Sequence, residues 1–211
     1  MRLIHQPPAD AESTGVMRQL MNREGPAWDR IRFDELLAQQ VAMRRARGLR
    51  ETERAAPLGA DRLASQIIAG LRFQLTAAQR RAWTEISRNL QGTTPMQRLL
   101  QGDVGSGKTV IAALAAAQAI GSGLQVAVMA PTEILAEQLF EKFCEWFGPF
   151  HVDVGLLKSG LGAKQRRELL MSISTGGLPI VVGTHALIQK GVTFSNLGLV
   201  VVDEQHRFGV G

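Results

Sequence analysis

Gly102-Asp103-Val104-Gly105-Ser106-Gly107-Lys108-Thr109 combines residue types and a spacing that can hold a string of phosphates. The octapeptide fits G-x-x-x-x-G-K-[ST] at every fixed position. Its glycines let the backbone curl, so that successive N–H groups point at one anion. A helix starting at the end of the loop turns its positive pole toward the same anion. The Lys108 ammonium then reaches the β- and γ-phosphates, and the Thr109 hydroxyl ligates Mg²⁺. The segment therefore predicts a nucleoside triphosphate site.

Asp203 stands 95 residues beyond Lys108 and, with Glu204, follows the apolar run Leu197-Gly198-Leu199-Val200-Val201-Val202. Such a run reads as a parallel strand buried on both faces. Ligands of parallel sheets gather at the carboxyl ends of strands, which puts the pair beside the phosphate loop. Asp203 would hold Mg²⁺ directly or through water, and Glu204 would polarise the attacking water as general base.

Alternating strands and helices must position these groups. A short strand is expected over residues 96–100 and a helix over 107–120. Strands are expected at 124–130, 152–157, 180–182 and 197–202, with helices at 132–147 and 163–174 between them. This order implies βαβ units and a parallel sheet covered on both faces. Thr76 reads as the N-cap of a further helix over 77–90. Upstream, residues 1–27 read as an extended connector with a short helix around 14–22. Two helices follow, over about 28–56 (ended by Pro57) and 60–69. A sheet that stops at Val202 exposes an edge.

Bulk properties narrow the class. Hydrophobic residues make up 45% and charged residues 20% of the chain, as in ordinary globular domains. No apolar run reaches the roughly 18 residues a membrane span needs, and the first residues lack the apolar core of a secretory signal. Cys144 is the single cysteine, so no intramolecular disulfide can form, and a reducing cytoplasmic setting is expected. The net charge of +5 is unevenly spread: residues 1–100 carry +6, including Arg44, Arg45, Arg47 and Arg50, and residues 101–211 carry −1. A basic first half suits nucleic acid or a solvated arginine-rich helix. His151 and His185 lack partners at metal-ligand spacing. Trp28, Trp83 and Trp146, at helical positions, read as core residues.

Val202-Asp203-Glu204-Gln205-His206-Arg207-Phe208-Gly209-Val210 resembles the RecG family of superfamily 2 DNA helicases. So do Gln101 with the phosphate loop, Ala130-Pro131-Thr132-Glu133-Ile134-Leu135-Ala136-Glu137-Gln138, and Gly183-Thr184-His185-Ala186-Leu187-Ile188-Gln189. Residues 4–10 and 33–40 are similar to the segment joining that family's wedge domain to its motor, so the likeness covers nearly the whole chain. It implies an α/β fold: a RecA-like P-loop NTPase sheet flanked by helices (residues 71–211, the first motor lobe), preceded by a mostly helical linker (residues 1–70). It implies ATP and Mg²⁺ as cofactors. In Phe73-Gln74-Leu75-Thr76-Ala77-Ala78-Gln79, Gln79 would bond the adenine edge and Phe73 would lie near the base. Pro131, Thr132, Glu133, Gly183, Thr184 and His185 match positions that touch the nucleic-acid backbone. Gln205 and His206 would couple the ATP state to the DNA side.

The activity implied is ATP-driven translocation on double-stranded and branched DNA by a monomer, remodelling stalled forks and recombination junctions. A second motor lobe outside this chain would supply the arginine fingers, so the chain alone would hydrolyse ATP weakly. Leu157-Lys158-Ser159-Gly160 departs from the Thr-Gly-Ser or Ser-Gly-Ser usual after that strand, which puts a direct DNA contact there in question. The transcription–repair coupling motor shares several of these elements but usually has Asp-Glu-Glu-His where Gln205 stands here. A non-enzymatic nucleotide- or DNA-binding module is the reading from a different class.

Overall fold

The computed structural model describes residues 18, 21–59, 62–103 and 105–204. It divides into two compact units, residues 1–54 and 55–211. In the first, helix α1 (Pro26–Thr52) carries Phe33, Leu36, Leu37 and Val41 exposed along one side. Arg30 pairs with Asp34 one turn on (3.0 Å), a contact that supports an exposed helix modestly. Arg44 and Arg45 are exposed; the side chains of Arg47 and Arg50 and most of the helix expected at 14–22 lie outside the described residues.

The second unit holds helices α2 (Arg62–Gly70), α3 (Ala77–Leu90), α4 (Lys108–Gly121), α5 (Glu133–Phe147) and α6 (Ala163–Ser174). Strands β1 (Gln125–Met129), β2 (Val154–Leu157), β3 (Ile180–Gly183) and β4 (Leu197–Val202) form one parallel sheet in the order β2-β3-β1-β4. Alternation along β3 assigns the two faces. Ile180 and Val182 join α2, α4 and α5 in the main core, whereas Val181 joins Ile173 of α6 and Leu187 in a second cluster. Leu58, Ala64 and Ile67 also belong to the main core. No described helix is long and apolar enough to cross a membrane.

Local chemistry explains the helix starts. Thr76 accepts from the Gln79 N–H (3.2 Å) while the Gln79 side chain accepts from the Thr76 N–H (2.8 Å), a reciprocal cap on α3. Thr132 caps α5 by accepting from the Leu135 N–H. Helix α4 is almost wholly buried because its alanines, Ala113 and Ala115 to Ala117 among them, let neighbours approach closely.

Two expectations need correction. Residues 96–100 form no strand. Arg98 is instead held by Glu85 of α3 (2.8 Å), Met96 and Leu100 pack against the core, and Leu99 is 67% exposed. As a result β4 is not buried on both faces: among the described strands it pairs with β1 alone and leaves Leu197, Val200 and Val202 exposed. The exposed edge foreseen beyond Val202 is therefore the outer side of β4 itself.

Buried amides tie the elements together. Gln125, at the start of β1, donates to the Ile173 and Leu178 carbonyls (3.0 and 2.9 Å) and accepts from the Asn196 N–H (3.0 Å). Gln118 of α4 is fully buried and donates to the Leu58 and Ser87 carbonyls. Its Oε1 has no partner among the described residues. Gln118→Leu leaves two carbonyls without this donor, and the expected cost is about 1–3 kcal/mol, read as a lower urea midpoint at unchanged slope.

Candidate functional site

All four strands reach the carboxyl edge together. Gly183 is level with Leu157 of β2 and Met129 of β1, and Met129 is level with Val202 of β4. The loops that follow therefore lie along one edge. The Ala130 N–H donates to the Gly183 carbonyl (2.9 Å) and the Asp203 N–H to the Met129 carbonyl (2.8 Å), so the ladder continues into these loops.

The phosphate loop precedes α4. Gly105 and Gly107 take positive φ values of 80° and 83°, which curl the backbone. As N-cap, Gly107 brings no side-chain oxygen to compete for the first N–H groups of α4. A Cβ on Gly107 would fall 2.2 Å from Gln79 Nε2, a side-chain tip that can swing aside, so the backbone angle is what calls for glycine there. Lys108 Nζ donates to the Gly102 and Asp103 carbonyls (2.6 and 2.9 Å), stapling the loop. Val104 lies outside the described residues.

One cavity of about 680 Å³ brings Phe73, Gly105, Gly107, Lys108 and Thr109 together with Asp203 and Glu204. Residues distant in sequence thus share a space large enough for a nucleotide. Glu204 sits in the left-handed region (φ 50°) and its N–H donates to the Asp203 carboxylate (3.1 Å). A non-glycine residue in that region costs about 1–3 kcal/mol and tends to mark a site where a side chain must be aimed. Gln79 does not line the cavity. Its amide is occupied by Thr76 and, through Nε2, by the Ser106 carbonyl (2.8 Å).

The remaining described candidates follow β1 and β3: Pro131 and the cap Thr132 lie in the loop after β1, Glu133 opens α5, Gly183 ends β3, and Thr184 and His185 come next. Thr184 is buried, and its hydroxyl accepts from the Ala186 N–H, while His185 is exposed. Gly183 is required by proximity, since a Cβ there would lie 2.4 Å from the Leu157 carbonyl oxygen. Gln205 and His206 lie outside the described residues.

Sequence reasoning did not foresee a brace between α5 and the loop after β2. Glu133 accepts from the Ser159 N–H (3.1 Å), and Glu137 pairs with Lys158 (2.6 Å). The i, i+4 spacing of the two glutamates was the available signal. The hydrogen bond and charge of Glu137 hold the Lys158 ammonium above its ordinary pKa of 10.5. A raised folded pKa stabilises the fold below the unfolded value and is lost as pH climbs through the folded one. Removing this partner with Glu137→Gln should therefore flatten the alkaline limb of the stability curve, measured by urea unfolding across about pH 9 to 12. The change should be small, as for exposed ion pairs generally.

A parallel sheet with a glycine loop at a helix start, and an acidic pair beside it at the carboxyl edge, defines a nucleotide-binding motor lobe of the RecA-like class. The sequence model of the DEAD/DEAH box helicases matches residues 76–211. The chain belongs to the DEAD/DEAH box helicase family, whose members use ATP. Over all 211 residues it is 48% identical to the ATP-dependent DNA helicase RecG of Haemophilus influenzae and 44% identical to that of Escherichia coli K12. It spans 30% of the length of each. A solved structure of RecG bound to a three-way DNA junction superposes with a TM-score of 0.79 at 42% identity, covering 87% of this chain and 25% of that one. A helicase from Sulfolobus tokodaii, described as hypothetical and RNA-directed, shares the fold alone (TM-score 0.54, 21% identity, 70% of this chain and 42% of that one).

Proposed function

We propose that this chain is the ATP-binding lobe of a RecG-type, ATP-dependent DNA helicase that works on branched duplex DNA. The cavity shared by Lys108 and Thr109 with Asp203 and Glu204 carries this reading. Residues 71–211 supply the motor motifs. Residues 1–70 connect them to the rest of the protein, the stretch from Leu58 onward packing into the lobe core.

The residues present fit Mg²⁺ brought in with a nucleotide. No group of three acidic, histidine or cysteine side chains gathers among the described residues. Thr109 and Asp203 would give two oxygens, and phosphate oxygens and water would complete the shell, as Mg²⁺ prefers. Held there by Thr109 and Asp203, the ion would supply positive charge to offset that of the phosphates. Lys108 would release the Gly102 and Asp103 carbonyls and turn to the phosphates. Glu204 would orient the attacking water by accepting its proton. Loop N–H groups and Lys108 would stabilise the charge that develops.

On the DNA side, Thr132 and Glu133 at the start of α5 and His185 after β3 follow neighbouring strands at the carboxyl edge, where N–H groups and hydroxyls suit phosphate oxygens. Lys158 is engaged by Glu137 and acts there as a brace. The test is titration calorimetry of the chain with MgATP, alongside Glu204→Gln. Binding that survives Glu204→Gln, with turnover lost, supports the assigned roles. A folded chain that binds no MgATP sinks them. Retention of a three-way junction in a gel-shift assay tests the DNA half separately.

A further inference from the structure

Helix α5 opens with two carboxylates on one side, Glu133 at its first position and Glu137 one turn later. They are not compensated alike. Glu133 lies in the first turn, where the positive pole of the helix acts, and it accepts from the Ser159 N–H (3.1 Å). Glu137 lies in the second turn, and the influence of the pole falls off within the first. Its carboxylate is met instead by the Lys158 ammonium at 2.6 Å. Both side chains are partly exposed, so solvent and salt act on the pair.

Topology brings Lys158 to this place. It follows Leu157, the last residue of β2, which is level with Gly183 of β3; Gly183 is in turn level with Met129 of β1. Lys158, His185 and Thr132 thus leave three neighbouring strands on one edge, the strand before His185 being the middle one. Thr132 and Glu137 are separated by about 7.5 Å of helical rise. That lies inside the Debye length, roughly 10 Å at about 0.1 M salt. A phosphodiester passing Thr132 would therefore feel the charge of Glu137 unless something cancelled it.

We propose that Lys158 is a positioning residue for DNA that acts without touching it: its ammonium cancels the charge of Glu137, so that the phosphate backbone can pass Thr132 and His185. This rests on the reading that those two residues face DNA, and the test separates the two. Anisotropy of a labelled three-way DNA junction is titrated with the whole chain at about 0.1 M salt. Lys158→Met keeps an apolar stem and bares the Glu137 charge, and affinity should fall about fivefold, the effect of one nearby charge. Adding Glu137→Gln should restore it, although the brace is then absent altogether. Lys158→Arg keeps the cation and should bind as the wild type does. Because exposed charges are screened, the deficit of Lys158→Met should narrow as salt is raised.

Circular dichroism confirms that each variant is folded. A double variant as weak as Lys158→Met would mean that Lys158 touches DNA or that the brace itself matters, and would overturn the proposal. Undiminished binding by Lys158→Met would overturn it too. A folded wild-type chain that does not bind the junction removes the DNA reading, and this proposal with it, while MgATP binding stands or falls separately.

Discussion

Lys108→Ala is expected to weaken MgATP binding by about two orders of magnitude while the chain stays folded. Lys108 is half-buried at the first position of α4, where its ammonium already bridges two carbonyls of its own loop. A triphosphate offers that ammonium charged oxygens in place of neutral ones, and charge-assisted bonds are roughly twice as strong. Truncating one partner of a desolvated charge pair commonly costs about 2–5 kcal/mol, enough for the loss expected. Alanine also unfastens the Gly102 and Asp103 carbonyls, so part of the loss comes from a looser loop. Lys108→Arg divides the two contributions. It keeps a cation, but its planar fork does not reproduce a compact point charge, so intermediate affinity is expected. Calorimetry on the three proteins gives the affinities, and circular dichroism checks the fold. Unchanged affinity in Lys108→Ala would remove the lysine from the site.

Gly183→Val is expected to be the most destabilising single change at the carboxyl edge, by about 3 kcal/mol or more. A Cβ at Gly183 would stand 2.4 Å from the Leu157 carbonyl oxygen and 3.1 Å from Leu187 Cγ. The first neighbour is main chain of the adjacent strand, which cannot swing aside as a side-chain tip can. β2 must part from β3, and the second core cluster, with Leu157, Val181 and Leu187, opens with it. For a domain holding about 5–15 kcal/mol in all, that is a large share. Urea unfolding of Gly183→Ala and Gly183→Val measures it. Wild-type stability in both would show that the strands have slack the packing does not suggest.

What could be read from sequence was what short segments decide alone. The phosphate loop is a local backbone design, and Thr76 and Thr132 announce the helices they cap. The strand over residues 197–202 begins and ends where its apolar run does. Long-range choices were not legible. Nothing local reveals that residues 96–100 stay out of the sheet, with Arg98 paired to Glu85, and leave β4 uncovered. That the Gln79 amide joins Thr76 to the phosphate loop at Ser106 is likewise a tertiary contact that its motif does not announce. Trp146 packs against the core as read, but helical spacing could not say that the rest of its half-buried ring lines the cavity. The pairing of Lys158 with Glu137 depends on β2 ending beside α5, and only topology fixes that.

Gln125 has a consequence for how the lobe breathes. One side chain bonds the end of α6, the segment after it and the entry to β4. None of these can lift away alone without stranding a buried amide in apolar surroundings, where an unmade hydrogen bond costs about 1–3 kcal/mol. The three should open as one cooperative unit, and amide exchange at their N–H groups should share a single free energy. Motion at the far end of the sheet is thereby locked to the strand that delivers Asp203 and Glu204.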